Sequence, residues 1–265
     1  MRNDVGNQMC LLVIAVRQHE KLPLIVAGNR DEFHARPTQR AHWWPDHTDV
    51  LGGRDLQAGG TWLAMHRNGR FATVTNYRDA RKERAGLTSR GHLITEFLTG
   101  DETPIDYLRT IDGDAYAGFN LLVADRDSAA YLSNRGAAMR ELPPGIYGLS
   151  NATLDEPWTK VTRSKARLQA LIEADTVNET SLLRMLDDRD KASSEEVQTN
   201  GLSFSIAHAL TAPFIVLPEY GTRCSTVLTV SKTGAVRFAE RRFDAGGGTT
   251  GEVSFAFDLG GVNGK

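Results

Sequence analysis

The sequence predicts an α+β domain built in layers. Paired β-rich runs joined by short polar turns lie toward both ends of the chain, helical stretches fall between them, and no βαβ alternation is visible. No internal repeat or low-complexity linker divides the 265 residues, a length sufficient for a substantial core.

Each element follows from local pattern. Residues 13–15 and 22–27 (LPLIVA) read as an antiparallel hairpin, with Pro23 at the start of its second strand. A dense polar run follows, Gly28-Asn29-Arg30-Asp31-Glu32-Phe33, which reads as a turn after an apolar strand. Residues 35–60, rich in Pro, His, Trp and Gly, read as an irregular excursion carrying Trp43 and Trp44. Residues 61–66 and 70–76 flank Arg67-Asn68-Gly69, and an Asn-Gly pair between β-rich runs is a strong hairpin signal because both residues tolerate φ > 0. Helices are expected at 91–98 and 104–110. A hairpin is expected over 119–124 and 130–133, and a short strand over 146–150. In 158–173, Val161, Leu168, Leu171 and Ile172 alternate with Lys and Arg, as on an amphipathic helix. A helix at 181–186, a polar loop at 188–201, and a hairpin over 225–230 and 235–241 follow, with an edge strand at 253–257.

Composition excludes several function classes. With 31 Lys+Arg against 33 Asp+Glu the formal net charge is −2, so the basic excess of a dedicated nucleic-acid binder is missing. Two cysteines, Cys10 and Cys224, exclude a disulfide scaffold and an all-cysteine zinc site. The seven histidines form no HxxxH or HxH pair, so no metal site is expected. Neither GxGxxG after a strand nor a Walker-type Gly-Lys-Ser/Thr is present. No apolar run approaches the ~20 residues of a membrane span. Residues 1–8 are polar, and the apolar run 10–16 is short and ends at Arg17, so it reads as a buried strand rather than a signal sequence. A cytoplasmic protein is expected, with 1–8 a disordered extension or propeptide and 9–260 a single domain.

The residues that can carry chemistry are few. Cys10 reads either as a small buried hydrophobe or as a nucleophile. Freed as the first residue, it would bring its own α-amine, with a pKa of ~8, within reach of its thiol as a general base. Asp31 is placed to orient that amine or thiol, and Arg30 to support the fold by an ion pair. Asn76 and Asn151 each end an apolar strand and are suitable oxyanion donors. Arg223 precedes a strong strand, where it either pairs at the surface or holds a carboxylate. His42 and His47 flank Trp43-Trp44-Pro45, which reads as a candidate apolar ligand pocket. Haem needs only an axial ligand or two and an apolar cleft, so it stays open at this level.

Together these residues resemble a known family. Met9-Cys10, Ala27-Gly28-Asn29-Arg30-Asp31-Glu32-Phe33, Arg36-Pro37-Thr38, Gly59-Gly60-Thr61-Trp62-Leu63, Thr75-Asn76-Tyr77, Ser89-Arg90-Gly91, Leu149-Ser150-Asn151 and Tyr220-Gly221-Thr222-Arg223 occur in the order of the NRDE family, from Met9 to about Phe243. That family resembles the N-terminal-nucleophile (Ntn) hydrolases of the choloylglycine hydrolase and penicillin V acylase branch. The resemblance implies a four-layer αββα sandwich of two antiparallel sheets and cleavage of a small amide or acyl substrate through a thioester, with no cofactor. It implies Cys10 as nucleophile, Asp31 beside it in an Asn-x-Asp turn, Asn76 and Asn151 at the oxyanion, Arg223 as the distal arginine, and Asn29, Arg30 and Glu32 in support. The pattern departs at Gly28, where the hydrolases carry an arginine; here the arginine stands at Arg30. The family is also associated with haem trafficking and with acyl-CoA-type lipids, so a non-catalytic binding protein is the alternative.

Overall fold

The fold is described from a computed structural model, which covers residues 10–77, 87–136, 138–199 and 201–260. Met9 and the extension before it lie outside the described residues. The strands are β1 (Leu11–Val16), β2 (Leu24–Phe33), β3 (Thr38–Trp43), β4 (Val50–Asp55), β5 (Leu63–His66), β6 (Phe71–Asn76), β7 (Phe119–Ala124), β8 (Ala129–Ser133), β9 (Arg140–Glu141), β10 (Gly145–Leu149), β11 (Tyr220–Val230), β12 (Ala235–Phe243) and β13 (Thr249–Asp258). The helices are α1 (Gly91–Thr99), α2 (Pro104–Thr110), α3 (Thr159–Glu173), α4 (Glu179–Leu186) and α5 (Phe204–Ala209).

The strands form two antiparallel sheets, ordered β10-β1-β2-β11-β12-β13 and β3-β4-β5-β6-β7-β8-β9. In β1 every residue is buried, because both faces of its sheet are covered. Leu12, Ile14 and Val16 enter a core shared with Leu51, Leu63, Met65, Phe71 and Leu122 of the second sheet. Val13 and Ala15, on the other face, pack with Leu168 of α3 and Leu182, Leu183 and Leu186 of α4. The outer face of the second sheet buries Leu93, Ile94, Phe97 and Leu98 of α1 and Leu108 of α2. Three apolar layers therefore separate four structural ones, in the order helices, sheet, sheet, helices. Each fully buried Leu, Ile or Val contributes roughly 1.5–3 kcal/mol.

The expected hairpins and helices are present within a few residues of their predicted ends. Two expectations need correction. The polar run after residue 27 is the second half of β2, not a turn: Asn29, Arg30 and Asp31 oppose Ser225, Cys224 and Thr222 of β11. Polar residues persist in this strand because partners on β11, α4 and the following loops bond them. The span 35–60 contains β3 and β4, paired antiparallel, instead of being irregular. Trp44 is buried in the core under α1, with Nε1 donating to Gly52 O at 3.0 Å. Trp43 packs edge-on against Phe257 at the far end of the sandwich, with ring centroids 5.0 Å apart. The two tryptophans therefore build core rather than a ligand pocket. Among the described residues no helix is long and apolar enough to cross a membrane.

Candidate functional site

The site lies where β1 begins, at one end of the sandwich. Cys10 immediately precedes β1. Arg30 of β2 lies across from Cys224 of β11, and Leu11 lies across from Asn29, so β2 runs between the two cysteines. Because side chains alternate along a strand, Arg30 and Gly28 share one face while Asn29 and Asp31 share the other.

Cys10 is held at its backbone by residues far away in sequence. Its N–H donates to Asn151 Oδ1 at 3.0 Å, and its carbonyl accepts Ser150 Oγ at 2.7 Å. Asn151 Nδ2 in turn donates to the carbonyl of Asn76 at 2.8 Å, which fixes the orientation of the carboxamide. Behind this clamp runs a buried polar chain. Thr75 Oγ1 donates to Ser150 O at 2.9 Å, Asn120 Nδ2 donates to Ala152 O at 2.9 Å, and Tyr131 OH donates to Asn120 Oδ1 at 2.6 Å. These bonds lock the loop after β10 to the ends of β6 and β7.

Electrostatics keeps the thiol protonated. Burial, then the Asp31 charge, pushes Cys10 up to about 12, against a hydrogen bond from the Asp31 backbone N–H and the charge of Arg30, which favour the thiolate. Asp31 is 1% exposed. Burial raises its carboxyl to about 7, while the Lys160 charge and a hydrogen bond from Thr222 act the other way. Thr222 Oγ1 accepts the Ile215 N–H at 2.9 Å, which aims its own proton at Asp31 Oδ1 at 2.7 Å. Asp31 Oδ2 has no hydrogen-bond partner among the described residues.

A cleft of about 90 Å³ opens beside Cys10, lined among others by Arg30, Asp31, Trp62, Asn76 and Arg90. The Arg30 guanidinium lies 4.5 Å from the Trp62 ring centroid, a cation–π contact, and its Nη2 lies 3.4 Å from Glu32 Oε2 and from Asp55 Oδ2. A Cβ at Gly28 would come within 3.1 Å of Leu11 O and 3.2 Å of Leu12 Cδ1, so a side chain there requires β1 to give by a few tenths of an ångström. The guanidinium reaches this face from Arg30 instead.

The structure thus gathers Cys10, Asp31, Asn76 and Asn151 at one point. It puts Arg223 elsewhere: Arg223 Nη1 donates to Phe33 O at 2.8 Å and Arg36 O at 3.2 Å, and the residue does not line the cleft. Asn29 is a strut whose amide bonds Leu186 O, Pro213 O and Ser225 Oγ, while Glu32 accepts the Phe33 N–H at 2.8 Å. Cys224 is buried, and burial followed by the Glu240 charge raises its thiol. The sequence motifs contain Trp62 and Thr222 without giving them a role, and Lys160 stands outside the motifs. Lys160 was legible in principle, since it shares a buried helical stripe with Val161, Ser164 and Leu168, where a charged residue is out of pattern. Among the described residues no group of three His, Cys, Asp or Glu could hold a metal ion.

Comparison with known proteins identifies the family and the fold. Residues 9–245 match the family described as Transport and Golgi organisation 2. The Transport and Golgi organization protein 2 homolog of Bos taurus is 36% identical over 239 residues, covering 82% of this chain and 86% of that protein. The Homo sapiens homolog is 35% identical over 237 residues, with the same coverage. Among solved structures, the Caenorhabditis elegans ortholog of N-acylethanolamine-hydrolyzing acid amidase superposes with a TM-score of 0.51 at 14% identity, over 83% of this chain and 92% of that one. A mutant conjugated bile acid hydrolase from Clostridium perfringens gives 0.50 at 9% identity, over 95% and 92%. At such identities the likeness is one of fold, that of the Ntn hydrolases. The chain belongs to the Transport and Golgi organisation 2 family, the NRDE family its motifs resemble.

Proposed function

We propose that this protein is a cytoplasmic cysteine amidohydrolase that cleaves a small amide or acyl substrate through a thioester at Cys10. The observation that carries the reading is the clamp on Cys10: its nitrogen lies 3.0 Å from Asn151 Oδ1, its thiol faces the Asp31 N–H, and both adjoin a cleft. In the unprocessed chain that nitrogen is an amide and the thiol is too weakly acidic to attack. Removal of the residues before Cys10 would leave an α-amine hydrogen-bonded to Asn151, beside the thiol on which the Asp31 charge acts.

The step then balances. The α-amine takes the thiol proton as Sγ attacks the substrate carbonyl. Donors at the cleft, Asn76 foremost, hold the developing oxyanion. The C–N bond breaks as the ammonium returns the proton to the leaving nitrogen. Water adds to the thioester with the amine as base, releasing the acid and restoring the thiol.

The alternative is a non-catalytic protein that carries haem or an acyl-CoA; in this cleft haem would take Cys10 as its axial ligand, since among the described residues lining it there is no histidine. The test uses a chain made to begin at Cys10, the full chain, and a panel of short N-acyl amides. Hydrolysis by the chain beginning at Cys10 and its loss on Cys10→Ala are expected. Turnover by the full chain that survives Cys10→Ala would overturn the reading.

A further inference from the structure

Of the four sheet edges among the described residues, three are blunted. β9 is only two residues long. β10 has five residues and starts directly after Pro143-Pro144, which offer no backbone N–H to a further strand. β3 follows Pro37, carries Arg40, and breaks register with β4 between Gln39 and His42. Each of these devices stops a sheet from taking on another strand.

The fourth edge has none of them. β13 is ten residues long, contains neither proline nor lysine, and pairs with β12 without a break from Gly251 to Asp258. Among the described residues no strand pairs with its other side. A row of backbone N–H and C=O groups there can accept one. Val253, Phe255 and Phe257 point toward the core between the sheets and are only partly buried, with Trp43 edge-on to both rings. Glu252, Ser254, Ala256 and Asp258 are exposed on the other face. The Ala41 N–H donates to Glu240 Oε1 at 2.8 Å, so β3 lies over β12 and leaves the inner face of β13 half covered.

The strand is complementary to itself. With two copies antiparallel and Ser254 opposite Ser254, Phe255 of each copy faces Val253 of the other, an aromatic and β-branched pair that stabilises a sheet. Glu252 then faces Ala256 and Asp258 faces Thr250, so no like charges meet. Arg241 Nε, at 2.7 Å, already neutralises Glu252. Moving the pairing by one step one way sets Glu252 against Asp258, and the other way sets Phe255 against Gly251.

We infer that β13 is a dimerisation edge: a second copy of this chain adds its own β13 antiparallel, centred on Ser254, and the two six-stranded sheets become one. None of the residues of β13 lines the cleft at Cys10, so the pairing stands apart from whether the protein turns over substrate.

The test is sedimentation velocity of the full chain over a concentration series. A dimer is expected at about 100 μM. Ser254→Lys sets two ammonium groups face to face and should weaken it at least tenfold, whereas Ala256→Lys, opposite Glu252 of the other copy, should not weaken it. On mild oxidation Ser254→Cys should give a disulfide-linked dimer absent from wild type, and Ala256→Cys should give little. A monomer throughout the series overturns the inference. So does a dimer that Ser254→Lys leaves intact, or one that Ala256→Cys links as fully as Ser254→Cys. If Ser254→Lys does not fold, the two cysteine variants decide the register on their own.

Discussion

Cys10 and Cys224 lie on either side of strand β2 with Arg30 between them, yet their surroundings differ in kind. Both thiols are raised by burial. Cys10 ends at a cleft, has its backbone clamped by Asn151 and Ser150, and faces the N–H of Asp31. Cys224 sits inside β11 next to Glu240, whose carboxyl is itself raised by burial, and does not line that cleft. The difference teaches that a cysteine becomes a candidate nucleophile through what reaches its backbone and its mouth, not through burial or a neighbouring arginine.

The sharpest way to break the comparison is to delete each thiol. Cys10→Ala should abolish acyl-amide hydrolysis by the chain beginning at Cys10 while circular dichroism and melting change little. Cys224→Ala should leave the rate within about twofold and cost roughly 1–2 kcal/mol in urea unfolding, the effect of a small buried cavity. Loss of activity in the second variant, or its retention in the first, would erase the distinction.

A smaller effect is expected from the wall opposite Cys10. Gly60→Val forces a branched side chain against the Gly91 backbone and should destabilise by about 1–3 kcal/mol. It should also slow acyl-amide hydrolysis by the chain beginning at Cys10, since α1 must move. Unchanged melting and rate would mean that the two glycines are not in the contact that shapes the cleft.

The clamp behind Cys10 can be loosened without touching it. Tyr131→Phe removes the donor to Asn120 Oδ1 and the acceptor for the Leu154 N–H. A cost of about 1–2 kcal/mol in denaturant unfolding is expected. An unfolding midpoint equal to that of wild type would show that this polar chain does not brace the clamp.

The smallest effect is a pH slope. Asp31 titrates at about 7 in the folded state, above its unfolded value, so the folded state binds more protons than the unfolded one between about pH 4 and 7. Stability from this group therefore falls as pH rises through that window. Asp31→Asn removes the slope: whatever its stability relative to wild type at pH 4, the variant should gain on wild type as pH rises to about 7. Parallel stability curves for the two proteins would show that Asp31 is not the raised group.

Local chemistry in the chain was enough for most of the fold. The alternating and continuous apolar runs marked β1, β5–β8 and β10–β12, the Asn68-Gly69 pair marked a hairpin, and the helical stripes marked α1 to α4, because each signal is a period that neighbouring residues impose on one another. The motifs also named Cys10, Asp31, Asn76 and Asn151. Where short-range signals are weak, long-range pairing decided. The polar second half of β2 reads as a turn until β11 supplies its hydrogen bonds, and β3 and β4 read as loop until they pair. Only the tertiary structure could place Arg223 on the carbonyls of Phe33 and Arg36, bring Lys160 from α3 to Asp31, and stack the Arg30 guanidinium on Trp62. The physical reason is that a hydrogen bond or charge contact is set by distance in space: Thr222 stands 191 residues along the chain from Asp31, and the sandwich brings the two to 2.7 Å.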